Sequence, residues 1–308
     1  MTGRRCLAGS RARGAVLALI AVAFVLGFGI GRWSAESEPG LAASAPEVSE
    51  PRAPVAVAVP ASPRPETSAP RTVGEPSANP GSTGPRIAIV IDDLGRSVAM
   101  VDELRSLGVP LTYAVLPFES RTPEVVAYLF SLGLEMLCHV PMEAQRNVDP
   151  GPGALRRSMS GAEIRSTTAR ALAAVPDAVG VNNHMGSAFS EDSGSMAPFL
   201  EVVAGHGLFF LDSRTSADTQ GMIVASRLGM RAVERNVFLD RDRTRGRIRN
   251  EFRRALALSS GGTPAVAIGH PYDETLEVLG EEIPRALEQG FVFVTVAELV
   301  ASEPGRAK

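Results

Sequence analysis

Cysteine is scarce in this sequence. Cys6 and Cys138 are the only two, which excludes a disulfide framework and a Cys-rich zinc module. An excess of positive charge is missing from the main part of the chain. The formal net charge is −3, divided as +5 over residues 1–33, −3 over 34–84 and −5 over the remainder. An acidic main domain argues against nucleic acid as a partner, because its binders neutralise phosphates with grouped Lys and Arg. No glycine-rich dinucleotide fingerprint and no P-loop follows the first apolar run, and no internal repeat is visible. Apolar residues, by contrast, make up 44% of the 308 positions. That is enough for a sizeable core in one large domain or two ordinary ones.

The first 84 residues divide into two stretches. Arg4, Arg5, Arg11 and Arg13 precede GAVLALIAVAFVLGFGIG (14–31), which is uncharged up to Arg32, with Trp33 just beyond. At ~1.5 Å per residue this run reaches about 27 Å, enough to cross a bilayer core. The preceding arginines orient it with the N-terminus in the cytoplasm. Residues 1–33 are thus predicted to be a single-pass inner-membrane anchor, with all that follows on the exported, periplasmic side. The alternative is a cleaved signal peptide and release to the periplasm, for which Ala43-Ser44-Ala45 is the nearest small-x-small site. Residues 34–84 hold ten prolines and no aromatic residue. Such a segment buries too little to offset its ordering entropy and is predicted to be a disordered, extended linker.

From Arg86 the texture becomes alternating. Apolar β-type runs at 86–92, 111–117, 134–141, 178–183, 207–212, 231–239, 264–270 and 291–296 are separated by helical stretches, among them SVAMVDELRSLG, SGAEIRSTTARALAAV and RIRNEFRRALALSS. Thr122-Pro123 marks one helix start as N-cap and first turn. This alternation predicts a parallel sheet with helices outside, doubly wound or closed into a barrel. The missing phosphate-binding glycine motifs favour the barrel. The domain is expected over 85–302, leaving 303–308 as a tail.

Polar residues gather at the ends of these runs: Asp92-Asp93, His139, Asn182-Asn183-His184, Asp212 and His270. Taken singly, each has a plain structural role. Asp92-Asp93 could cap a helix, and each histidine could be a satisfied buried imidazole. Their joint position at the strand ends that carry chemistry in barrels points instead to one site. His206, between a helix and a strand, reads as a capping or surface residue. Adjacent carboxylates repel unless a cation or proton separates them. A carboxylate with two imidazoles is a ligand set for zinc or another divalent transition metal. A free carboxylate and a free imidazole would then serve as general base and acid. The reaction class is metal-assisted hydrolysis.

At these residues the sequence resembles the divergent polysaccharide deacetylases, a branch of the NodB-type carbohydrate esterases. IAIVIDDLG (87–95), GLEMLCHVPME (133–143), VGVNNHMGSAFSED (179–192), GLFFLDSRTSADT (207–219) and AIGHPYDETL (267–276) look like the branch's successive blocks. The resemblance implies a distorted (β/α)7 barrel and metal-dependent removal of acetyl groups from an N-acetylated amino-sugar polymer, with peptidoglycan the obvious exported candidate. It implies Asp92 as base, Asp93 and His139 as metal ligands, and His270 as general acid. Asp212 would orient His270, and Arg214 would steady Asp92 or the developing oxyanion.

The sequence departs from ordinary NodB enzymes four residues after His139, where Glu143 replaces their second metal histidine. Pro141 suggests a loop there, so helical spacing cannot be assumed. The Arg-Pro pair of their third block is absent. His184 is therefore expected to complete the set Asp93, His139 and His184, with Glu143 supporting the ligands or replacing one. The competing function is a non-catalytic glycan-binding or regulatory barrel of the envelope.

Overall fold

The computed structural model describes residues 84–302. The span at 14–31, the proline-rich segment up to residue 83 and the tail 303–308 lie outside the described residues. Among those described, no helix is long and apolar enough to cross a membrane.

Strand and helix alternate throughout. The order begins β1 (Arg86–Leu94), α1 (Ala99–Arg105), β2 (Thr112–Val115), α2 (Thr122–Ser131), β3 (Met136–Met142), α3 (Gly161–Ala174) and β4 (Gly180–Met185). It continues with α4 (Ser193–Gly205), β5 (Phe209–Asp212), α5 (Gly221–Arg227), β6 (Ala232–Glu234) and β7 (Val237–Phe238). The last elements are α6 (Arg245–Ser260), β8 (Ala265–Gly269), α7 (Asp273–Glu288), β9 (Val292–Val294) and α8 (Val296–Ser302). Every pairing is parallel, in the order β6-β5-β4-β3-β2-β1-β8-β7, with β9 added alongside the start of β1. The two ends of this path are consecutive in the chain. Only Arg235 and Asn236 separate β6 from β7. Arg235 N–H donates to Asp212 on one side and Asn236 N–H to Val266 on the other. The architecture is thus a parallel sheet of half-barrel form with alternating helices, as expected in its parallel strands and outer helices but not in the (β/α)7 count. The strand tally differs, because 231–239 divides into β6 and β7.

Side-chain parity explains how this sheet builds two apolar layers. Successive residues of a strand face opposite sides. On β1, Ile87, Ile89 and Ile91 join the cluster under the helices, whereas Ala88 and Val90 join Leu137, Leu211 and Ile268 in the interior layer. Both faces are therefore buried, which is why the strands read as continuous apolar runs. The helices begin where their caps permit. Ser160 and Glu163 form a reciprocal capping box on α3, and Asp192 caps α4. α2 does start at Thr122-Pro123, but Arg121 occupies the N-cap position. The Thr122 hydroxyl instead bridges the preceding loop, donating to the Leu116 carbonyl. His206 caps the C-terminus of α4 and lies on the surface.

One carboxylate ties the outer helices together. Glu282 on α7 is 4% exposed and pairs with Arg249 (3.2 Å), Arg253 (3.0 Å) and Arg285 (2.5 Å). Burial would raise its pKa, but the arginines prevail and hold it below the usual glutamate value. A depressed folded value contributes stability that is present above the unfolded pKa of about 4.3 and is lost as pH falls through the folded one. Glu282→Gln should cost about 1–3 kcal/mol by denaturant unfolding at pH 7, and Glu281→Gln at the exposed neighbouring pair about 0.5 or less. Equal losses would show that Glu282 acts only as surface charge.

Candidate active site

The C-terminal strand ends open on a cavity of about 420 Å³ whose lining includes Asp92, Asp93, His139, His184 and His270. Parity brings most of them there. Asp92 continues the inward row of Ala88 and Val90, His139 that of Leu137, and His270 that of Val266 and Ile268. Asp93 has the wrong parity for that face. It reaches the mouth because its backbone turns left-handed, with φ 61°. Met185 and Arg214 (φ 53° and 46°) are the other described non-glycine residues of this kind. All three sit at this end of the sheet, where local strain is a usual mark of function.

Three donor atoms converge. Asp93 Oδ1 lies 2.8 Å from His184 Nδ1 and 3.2 Å from His139 Nε2, and those two nitrogens are 3.2 Å apart. Neighbouring donors lie about 3.0 Å apart in an octahedral site and about 3.4 Å in a tetrahedral one, for ligand bonds near 2.1 Å. The triangle therefore fits a small divalent cation. Asp93 Oδ1 is moreover a buried atom without a well-aligned hydrogen bond, so its neighbours lie close without aiming a proton at it. His139 is prepared for this role from behind. Its Nδ1 donates to Asn182 Oδ1 at 2.8 Å, which leaves the Nε2 lone pair facing the cavity. These residues form a candidate Asp–His–His metal centre.

Asp92 and His270 flank it. Asn182 Nδ2 donates to Asp92 Oδ1 at 2.8 Å, so one amide orients both His139 and Asp92. Burial raises the Asp92 pKa, opposed by the nearby His139 and His270 imidazoles. For Asp93 burial acts in the same sense, but His139 and His184 prevail and hold its carboxyl well below the usual range. Burial lowers His139, yet Asp92 and Asp93 outweigh it and raise the net value. His270 donates from Nδ1 to Asp240 Oδ1 at 2.8 Å, and its Nε2 faces Asp93 Oδ2 at 3.7 Å. Burial opposes its charge, but the Asp240 bond and the Asp92 carboxylate push its pKa up to about 9.

Several sequence expectations need correction. Asp212 does not orient His270. It shares the outward parity of Phe210 and spends its carboxylate on the Arg214 amide and the Thr219 hydroxyl. Asp240, which was not read from the sequence, takes that place because it shares the inward parity of Phe238. Arg214 lines the cavity, but its guanidinium pairs with Glu234 at 2.7 Å, and Asn182 holds Asp92 instead. The segment through Pro141 is not a loop. β3 runs on to Met142, and the Pro141 carbonyl accepts from the Leu155 N–H. Four residues along a strand cover about 13 Å, compared with about 6 Å along a helix. Glu143 is therefore carried away from the ligands, and its carboxylate takes the Arg157 amide (2.7 Å) and guanidinium (3.3 Å).

The difference between the two aspartates is measurable. In the metal-free protein, Asp240→Asn should lower the pKa of His270 from about 9 by one unit or more, since a unit corresponds to about 1.4 kcal/mol of lost stabilisation of the charged ring. Asp212→Asn should leave it in place. Imidazole titration by NMR separates the two, and a larger shift in Asp212→Asn would reject the assignment.

Fold and site together define a parallel half-barrel with a candidate carboxylate–imidazole metal centre at its C-terminal mouth. The chain belongs to the divergent polysaccharide deacetylase family, whose sequence profile matches residues 89–300. It is 34% identical over 198 residues to the uncharacterized protein YibQ of Escherichia coli K12, covering 64% of this chain and 62% of that one. An uncharacterized protein of Haemophilus influenzae is 31% identical over 218 residues, covering 71% and 78% respectively. The chain thus spans somewhat under two thirds of the Escherichia coli relative. The crystal structure of an uncharacterized protein from Agrobacterium tumefaciens C58 shares the fold, with TM-score 0.66, 22% identity and coverage of 71% of this chain and 90% of that one.

Proposed function

We propose that this protein is a zinc-dependent hydrolase of the cell envelope that removes acetyl groups from an N-acetylated amino-sugar polymer such as peptidoglycan. The observation that carries the reading is the joint placement, in one cavity, of the Asp93–His139–His184 triangle, the Asp92 carboxylate and His270, which Asp240 holds from behind. A non-catalytic glycan binder has no use for a separate base and acid beside a ligand set.

Three neutral-to-anionic donors suit zinc and leave room for water and substrate. A divalent ion held there would polarise the acyl carbonyl and acidify water. The chain's own groups do the rest. Asp92, held by Asn182, accepts the proton of the attacking water. His270, charged and held through Nδ1 by Asp240, delivers the Nε2 proton to the departing amine nitrogen. The products are acetate and a free amino sugar. Acetate release from N-acetylated glycans by the metal-loaded full chain, with loss on chelation and return with zinc, tests the reading. Turnover that survives complete metal removal would overturn it.

The rest of the chain fits an envelope protein. The uncharged run 14–31 behind four arginines would anchor it in the inner membrane, and residues 34–84 would hold the 85–302 domain away from the bilayer. The full chain should then sediment with membranes and resist carbonate extraction. A mature N-terminus just after Ala45 would show a cleaved signal and periplasmic release instead.

A further inference from the structure

We infer that the cavity carries a subsite for a carboxylate on the substrate, read by Arg241, so that the preferred polymer is an anionic N-acetylated glycan rather than a neutral one. This rests on the amino-sugar hydrolase reading and specifies its substrate.

Arg214, Arg235 and Arg241 line the same cavity as the metal-centre residues. They come from one sector, the ends of β5, β6 and β7, whereas the ligands come from β1, β3 and β4. The three guanidiniums are not equivalent. Arg214 is neutralised by Glu234 at 2.7 Å. Arg235 is fixed by donating to the carbonyls of Ser213 (2.6 Å) and Arg214 (2.7 Å), and it lies 5.0 Å from the Phe238 ring centroid. These partners orient its charge without cancelling it. Arg241 is exposed and has no ion-pair partner among the described residues. Its neighbour Asp240 cannot serve, because Oδ1 is taken by the His270 ring, and Oδ2 by the His270 amide and the Thr275 hydroxyl. By contrast, each of the five arginines on α6 has a carboxylate within reach.

Two unneutralised guanidiniums at one mouth repel each other, and like charge from Arg241, after burial, lowers the pKa of Arg235. An incoming anion relieves that repulsion, and a guanidinium fork matches a planar carboxylate. The anion should be a monoanion. Asp92 and Asp93 share the cavity and would repel a phosphate dianion more strongly. One cavity of about 420 Å³ also limits distance, placing the carboxylate on the sugar being deacetylated or on its immediate neighbour. The neutral N-acetylated polymer lacks any group for this wall to hold.

The test measures calorimetric binding of two tetrasaccharides of matched length to the metal-loaded full chain carrying Asp92→Asn, which blocks turnover. One is an all-N-acetylglucosamine oligomer. The other is a peptide-free alternating oligomer of N-acetylglucosamine and N-acetylmuramic acid. The carboxylated probe should bind roughly tenfold tighter or more at low ionic strength, the worth of one charge-assisted contact. The preference should shrink with added salt. Adding Arg241→Gln should erase it without weakening the neutral probe, and Arg241→Lys should restore only part of it. Equal binding of the two probes, or a preference unchanged by Arg241→Gln, overturns the subsite. Acetate release by the chain without Asp92→Asn is scored separately. Equal binding with release removes the subsite alone, a carboxylate preference without release removes the hydrolase reading alone, and binding of neither probe removes both.

Discussion

Asp92→Asn and His270→Ala are each expected to lower turnover by roughly 10²–10⁴, the usual contribution of a positioned general base or acid, while metal content stays at the wild-type level. Neither residue belongs to the converging triangle. Asp92 is tied to Asn182, and His270 stands beyond hydrogen-bond reach of the Asp93 carboxylate. The pH profile tests the pairing further. Asp92 must be ionised to act, so the rate should climb with pH through a value that burial sets above the ordinary carboxylate range. His270 must be protonated, so the rate should fall as pH rises through its pKa, about 9 before a cation enters. A bound divalent cation moves both limbs to lower pH, because it disfavours every proton nearby. The result is a bell, and its alkaline limb should flatten in His270→Ala. A metal-bound protein that releases no acetate from any glycan, and whose two variants retain its cellular role, would establish a binding barrel instead.

How far the sequence foretold this site follows from where side-chain parity could be read. His139, His184, His270 and the Asp92-Asp93 pair each close an apolar run, so their meeting at one mouth was legible from alternation and barrel geometry. Asp212 and Asp240 look alike in sequence, one after GLFFL and the other after NVFL. With both sheet faces buried, neither run shows an apolar–polar alternation that would say which carboxylate points inward. The register of β5 and β7 decides, and it is a tertiary property. The signal for Asp240 was present, a carboxylate one residue beyond an apolar strand, but nothing local separated it from a surface cap. Pro141 misled for a related reason. A parallel strand can continue through proline when the segment beside it needs only its carbonyl, as the Leu155 contact shows. Arg235 was hidden differently, because the turn of chain between β6 and β7 that aims it at the cavity interrupts what reads as one strand.

The candidate metal centre gives the second large effect. Asp93→Ala, His139→Ala and His184→Ala should each weaken metal binding by at least ~10², since supporting residues alone are worth 10–100-fold. Asn182→Ala should fall within that supporting range, because it frees the His139 ring to rotate and removes the bond that selects its tautomer. Glu143→Ala should leave affinity unchanged, its carboxylate being committed to Arg157. Competition against a chelating indicator reads all five variants on folded protein, with circular dichroism verifying the fold. The contrast between positions 184 and 143 is decisive. In a helix, position 143 would sit one turn from His139 and could share its ion. In the strand actually formed, the register Pro141↔His184 brings His184 alongside the end of β3, and the left-handed turn at Asp93 completes the triangle from β1. Full occupancy in His184→Ala together with loss in Glu143→Ala would mean that this segment rearranges around the ion.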